Sequence, residues 1–376
     1  MPRGKLEKGR WTAMNTTNKF GILSFYMIML LSVGLANHVI VLPLLLDAAK
    51  RDAWLSVPIA MVIMMIWSVL LFYKVTRSMA GIRIDVWLKQ RIPSGLAYGM
   101  VWLLLGIQLF IAYTTLVETA EWTASTYLPD TPVIVVSVVM VALCGFAAWN
   151  GIQAIAYTAC ILLPIVFVLG DFVMSVNMPQ KDYLFLLPIM EHGYWPVIRG
   201  TAYSVSSFAE IYSLLLIQQH LSKPIRRWQL LLLSFFLAIL TFGPTTGTIA
   251  EFGPVEADKL RFPAFSQWRL VVIGKYLEHV DFFAVFQWMS GALIRISIPL
   301  YLLSEFAPFR ASRYKTATLT VICAGLSVSA YFTFRHMFAF KRLLDQYFAY
   351  IWILVIAIVF LLWAFTFIKQ KKGAGV

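Results

Sequence analysis

Residues 20–46 read FGILSFYMIMLLSVGLANHVIVLPLLL, and the reading of this stretch decides the fold. It contains no Asp, Glu, Lys or Arg, and it is long enough to cross a bilayer, whose hydrocarbon core of about 30 Å needs about 20 mostly apolar residues. It is also interrupted. Ser32-Val33-Gly34-Leu35-Ala36-Asn37-His38 lies at its middle, and Pro43 follows. Gly, Ser and Asn favour non-helical or locally hydrogen-bonded backbone, and Pro43 removes a ladder donor. Non-helical backbone at that depth survives only where it is buried in protein or lines a cavity.

Nine further stretches qualify as spans: 53–73, 96–124, 131–148, 152–176, 195–221, 228–250, 281–306, 316–334 and 347–368. The composition agrees. Of 376 residues, 60% are hydrophobic and 13% charged, against about 45–50% and about 25% in soluble domains. This excludes a soluble enzyme, a disordered chain and a disulfide scaffold. The net charge of +13 does not indicate a nucleic-acid partner, because such binders carry Lys and Arg on a solvated face. Most of the basic residues instead fall in short loops of one side: the tail up to Lys19, the loop with Lys74, Arg77, Arg83, Lys89 and Arg91, the segments after spans 6 and 8, and Lys369, Lys371 and Lys372. The positive-inside rule then predicts both termini in the cytosol. The outer loop 251–280 is charge-balanced, and a second outer loop, 335–345, is basic. The expected organisation is a tail 1–19, in which Met14 offers a second start, one transmembrane domain 20–368, and a basic tail 369–376.

Ten spans suggest two halves of five, about 20–176 and 195–368. An odd number per half inverts the second half relative to the first, and interrupted helices at matching positions mark the site in such folds. The counterpart of the span 1 break is Ser204-Val205-Ser206-Ser207-Phe208 in span 6. A pair of ordinary kinked helices would give the same pattern, since small residues are common where membrane helices pack.

Gly34, Glu210 and Arg295 fall near the midpoints of spans 1, 6 and 8, at the bilayer centre. A charge there costs about 2.5–3.5 kcal/mol on insertion scales, so each needs a cavity or a partner. Glu210 and Arg295 either border a polar ligand site or form a structural ion pair; the two are compatible. Gln108 and Tyr113 lie deep enough in span 3 to reach a cavity, whereas Glu118 and Glu121 read as solvated positions near its outer end. His38 reads as a partly wet side chain at the outward mouth. Cys144, Cys160 and Cys323 read as small buried hydrophobes, with no metal spacing or disulfide framework. No catalytic motif, metal-ligand grouping or cofactor signature is present.

Several blocks carry a family resemblance. Leu42-Pro43 followed by Asp52-Ala53-Trp54-Leu55-Ser56-Val57, then Phe208-Ala209-Glu210, then Phe262-Pro263 leading through Ile273-Gly274-Lys275-Tyr276-Leu277-Glu278 to Asp281, Trp288 and Arg295, resemble the B subunits of bacterial spore germinant receptors. These GerAB-like spore germination permeases belong to the amino acid–polyamine–organocation superfamily. The chain departs from the family at Gly34-Leu35-Ala36, which offers one glycine where two are common, at His279 for Arg, and at Gln153 and Tyr157 for Glu and Arg. The resemblance implies an all-α membrane protein with a LeuT-like ten-helix 5+5 inverted repeat and broken helices 1 and 6, in the inner membrane of a spore. It implies a subunit that detects a small nutrient, typically an amino acid, and triggers germination beside an A subunit and a lipoprotein C subunit. A proton-coupled amino acid permease of the same fold is the alternative.

The expected ligand site lies between spans 1, 3, 6 and 8. The ligand carboxylate would face free backbone N–H groups over Gly34, Leu35, Ala36 and Asn37, with Gln108 and Tyr113 nearby. Val205, Ser206 and Ser207 would complete the cradle, Phe208 would form an apolar lid, and Glu210 and Arg295 would serve as gate or ion pair, the Arg replacing a coupling sodium.

Overall fold

The computed structural model describes residues 19–272, 280–306 and 312–370. Both expected tails lie largely outside these residues, as do Ile273–Glu278 of the third family block and His279. Every long element among the described residues is helical, and the sole β-bridge, Phe20 to Leu221, is isolated.

The opening stretch forms α1 (Ile22–Ala36), a π-helical turn Asn37–Val41, and α2 (Leu42–Ala49). The extra residue of a π-turn precedes Pro43, which sits in the first turn of α2, where a missing N–H is tolerated. A tight turn, Lys50–Asp52, then reverses the chain. Next come α3 (Ala53–Trp67), a π-turn Ser68–Phe72, α4 (Tyr73–Met79) and α5 (Ile84–Lys89). Three long helices follow: α6 (Ser94–Thr126), α7 (Val133–Asn150) and α8 (Ile152–Val176). Gly151 alone joins the last two, at φ 95°, a left-handed conformation that favours glycine.

The second part begins with α9 (Trp195–Phe208), a 3₁₀ stretch Ala209–Ser213 and α10 (Leu214–Ile217). After α11 (Arg227–Phe252), two short helices, α12 (Pro254–Ala257) and α13 (Pro263–Arg269), fold back over the bundle. The chain closes with α14 (Phe282–Phe306), α15 (Ser312–Phe334) and α16 (Met337–Phe365). Among the described residues, eight helical runs are long and apolar enough to cross a membrane. The first of them, Ile22–Met79, is bent at the Lys50 turn.

Two expectations about helix limits change. Neither span 1 nor span 6 unwinds into extended chain; each stays helical and changes pitch, to π in one and 3₁₀ in the other. The basic outer loop 335–345 is mostly helix. Phe340, Leu344 and Phe348 recur every four residues and are buried, so the first turns of α16 are amphipathic. Asp345 accepts a hydrogen bond from Tyr203, and Lys341 reaches Glu121 at 3.5 Å. A hydropathy window rejects these turns because Lys341, Arg342 and Asp345 lower its average, although Lys341 and Asp345 have partners on neighbouring helices.

Close approaches hold the centre together. A Cβ built on Gly291 of α14 would stand 2.7 Å from Leu35 Cβ. One built on Gly200 of α9 would meet Ser56 Oγ at 2.4 Å and Ala49 Cβ at 2.8 Å. Helix α9 therefore crosses α2 and α3 nearly backbone to backbone. Gly200→Val is expected to cost about 1–3 kcal/mol, as overpacking does, read as a lower unfolding midpoint of the detergent-purified chain.

Candidate functional site

Four elements meet at the middle of the bundle. Arg295 projects from α14 and Glu210 from the 3₁₀ stretch, and they are 1% and 4% exposed. Arg295 Nη1 donates to Glu210 Oε2 at 2.5 Å, and Nη2 donates to Oε1 at 2.7 Å. This fork-on-fork geometry is the strong form of an ion pair. Two further N–H groups are used: Nε donates to Thr115 Oγ1 of α6 at 3.0 Å, and Nη1 donates to the Ser32 carbonyl of α1 at 3.1 Å.

A second layer lies beside the pair. Gln108 Nε2 donates to Tyr212 Oη at 2.8 Å and to Ser213 Oγ at 2.7 Å, and Ser213 Oγ donates to the Glu210 carbonyl at 2.8 Å. The 3₁₀ pitch sets Glu210 and Ser213 three residues apart on one side of the chain. A small cavity of about 10 Å³ opens against these groups, room for about one water molecule. Ser32, Gln108, Glu210, Ser213 and Arg295 form its polar wall, and Met29, Ile111, Ile217 and Ile298 its apolar one. The walls belong to α1, α6, the α9–α10 segment and α14, which correspond to predicted spans 1, 3, 6 and 8.

Of the residues singled out in the sequence, Gln108, Glu210 and Arg295 line this cavity. The others sit elsewhere. Asn37 Oδ1 accepts from Ser207 Oγ, tying the π-turn of α1 to the end of α9. Asn37 Nδ2 is buried without a hydrogen-bond partner. Ser206 donates to the Phe348 carbonyl of α16, and Leu35 packs on Gly291. Gly34, Ala36, Val205 and Phe208 are buried in the packed core. Tyr113 turns away, bonding Thr333 of α15 at 2.6 Å.

The free N–H groups expected at Gly34–Asn37 are not free. The helix continues through Ala36, and the Asn37 N–H donates to the Val33 and Gly34 carbonyls. His38 Nδ1 also contacts the Gly34 oxygen at 2.7 Å. Helical pitch changes satisfy the backbone where an unwound segment would have left it open.

Glu118 is a further correction. Rather than solvated, its side chain is 1% exposed and is gripped by Arg261 Nη2 at 2.6 and 2.7 Å, which also reaches Glu121 at 2.8 Å. Arg261 comes from the chain between α12 and α13, so this loop is a cap locked onto α6. Under it, Trp122 and Trp288 stack at 4.1 Å with Phe262 and Phe265 edge-on, and α13 packs on the π-turn of α1. Thr115 was missed in the sequence, although it follows Gln108 by seven residues and so shares its helical face. The cysteines are free, and no cluster of metal-ligand type occurs among the described residues.

The family described as Spore germination protein matches residues 22–307. The chain is also similar to Spore germination protein XB of Bacillus anthracis, 38% identical over 306 residues, which span 80% of this chain and 85% of that relative.

Removing one partner of a buried pair leaves an uncompensated charge and costs about 3–5 kcal/mol, whereas replacing both is often neutral. Glu210→Leu or Arg295→Met alone is therefore expected to lower the unfolding midpoint of the purified chain markedly. The double variant should recover most of that loss in the same melt.

Proposed function

We propose that this chain, which belongs to the spore germination protein family, is the membrane subunit of a nutrient receptor that binds a small polar nutrient, such as an amino acid, between α1, α6, α9–α10 and α14 and thereby triggers germination. The observation that carries this reading is the polar wall at the bundle centre, where Gln108, Ser213, Glu210 and Arg295 converge on one cavity. Such a wall at bilayer depth is costly unless it does work, and it combines a cation, an anion and neutral hydrogen-bonding groups, as a zwitterion requires. The buried Asn37 Nδ2 adds an unused donor on the π-turn side.

The frame for this site is ten crossings arranged as two inverted fives. Counting the bent Ile22–Met79 run twice, and adding the run from α9 to His220, gives ten. The packing is consistent with a repeat: α3 lies on α11, α6 on α14 and α7 on α15, each helix against the one five crossings later. Likewise α1 packs on α8 as α9 packs on α16. The proposed setting is the spore inner membrane, with both termini cytosolic and with an A subunit and a lipoprotein C subunit as partners.

In this conformation the cavity is too small for an amino acid. Binding therefore selects a more open arrangement, by as much as the ligand prefers it. The same rocking would deliver solute in a permease, or pass a signal to partner subunits in a receptor.

Gln108→Leu and Ser213→Ala change the polar wall without touching the ion pair. Loss of a buried hydrogen bond of about 1.4 kcal/mol is tenfold in affinity. Each variant is expected to raise the nutrient concentration for half-maximal germination by up to about tenfold, with the chain present at normal level by immunoblot. An unshifted dose response across a nutrient panel, at normal level, overturns the site. Uptake of labelled amino acid by liposomes containing this chain alone would favour the permease.

A further inference from the structure

A second site lies far from the central cavity, at the water end of α4. An open pocket of about 460 Å³ is lined there by Leu70, Tyr73, Lys74, Arg77, Arg227 and Thr366, among others, and no carboxylate lines it. Its three cations come from two helices and are held by aromatic rings, without an acidic partner among the described residues. Arg77 Nη1 donates to Tyr73 Oη at 2.9 Å, Arg227 lies 4.9 Å from the centre of the same ring, and Lys74 lies 3.8 Å from that of Phe367. Three like charges are thus pre-arranged around one open space.

The surroundings say what kind of anion would fill it. Leu70, in the π-turn, lines the pocket beside Lys74, and Ile66 stands about one turn earlier on α3, so the basic opening is followed by exposed apolar side chains. Ile66 and Leu70 are 55% and 64% exposed, on a face turned to lipid. Trp228 and Phe367, beside the pocket, are also exposed, as interfacial aromatics are. Basic pockets between membrane helices on the cytosolic side suit anionic headgroups, and the distribution of basic loops puts this end on that side. A free phosphate would satisfy the cations but leave these apolar side chains without a role.

We propose that this pocket binds the headgroup phosphate of an anionic phospholipid, with Lys74, Arg77 and Arg227 around the phosphate and an acyl chain lying along Leu70 and Ile66. This site is independent of the nutrient reading. The test is native mass spectrometry of the full chain, purified in detergent and offered phosphatidylglycerol and phosphatidylcholine in equal amounts. The wild type is expected to retain phosphatidylglycerol preferentially. At about fivefold per surface cation, Lys74→Gln/Arg77→Gln/Arg227→Gln should lose roughly a hundredfold in phosphatidylglycerol retention. Lys223→Gln/Arg226→Gln, on the loop preceding α11 but outside the pocket, should keep its retention. Equal retention by the triple variant overturns the site, and so does an equal loss in the control, which would mean general surface attraction. Displacement of the lipid by excess inorganic phosphate overturns the lipid as the occupant.

Discussion

A charge at the centre of a bilayer must be neutralised where it stands, and the fold is organised around how Arg295 is neutralised. From α14, its guanidinium donates to three other elements at once: the Glu210 carboxylate, the Thr115 hydroxyl and the Ser32 carbonyl. Each of its three nitrogens has a partner and the burial is nearly complete; good geometry and added hydrogen bonds are the condition under which a buried ion pair is tolerated. The consequence is positional. Helices α1, α6 and α14 and the 3₁₀ stretch cannot slide independently without uncovering a charge in hydrocarbon. The polar cavity exists because these four elements are pinned to one point.

The two pitch changes explain how helices can carry such a site without unwinding. In α1 the π-turn follows the Ser32 carbonyl that meets Arg295 and holds Asn37 against Ser207. In the partner segment the 3₁₀ stretch begins two residues after Ser207 and presents Glu210. Each irregularity redirects side chains while keeping backbone groups bonded, and the two face one another. The loop over this end is held by Arg261 on Glu118 and Glu121, and by Phe262 and Phe265 set edge-on to the stacked Trp288 and Trp122.

Much of this was legible in the sequence, for identifiable reasons. Apolar runs marked the long helices to within a few residues, because crossing length is set by the bilayer. Equal depth of Glu210 and Arg295 was legible from span midpoints; that they touch was not, since rotation about each helix axis is fixed by packing. Tyr113 shows the same limit: it bonds Thr333 of α15 instead of lining the cavity. Glu118 was misread because a carboxylate near a span end resembles a solvated one until the distant Arg261 folds onto it. The start of α16 was missed because Lys341, Arg342 and Asp345 depress a hydropathy average, although Phe340, Leu344 and Phe348 keep a helical period. The free N–H groups expected around Gly34 failed for a subtler reason: glycine, serine and asparagine permit a break, but a π-turn accommodates Pro43 while losing fewer hydrogen bonds.

The long closing helix links the centre to the membrane surface. Near its start, α16 is fixed to α9 by Tyr203 on Asp345 and by Ser206 on the Phe348 carbonyl, just before the Glu210 turn. Its 29 residues extend about 44 Å at 1.5 Å per residue, and Trp363 and the adjoining Phe367 reach the Lys74 side of the basic pocket. One continuous helix therefore touches both the segment that presents Glu210 and Lys74 of the basic pocket. A helix is stiff along its axis, so an arrangement of α9 that opened the central cavity would have to carry α16 with it or break the Tyr203 and Ser206 bonds. Ligand binding acts on a neighbouring subunit only through an element with two arrangements of different ligand affinity. Helix α16 is thus placed so that its displacement would be read at both the centre and the rim.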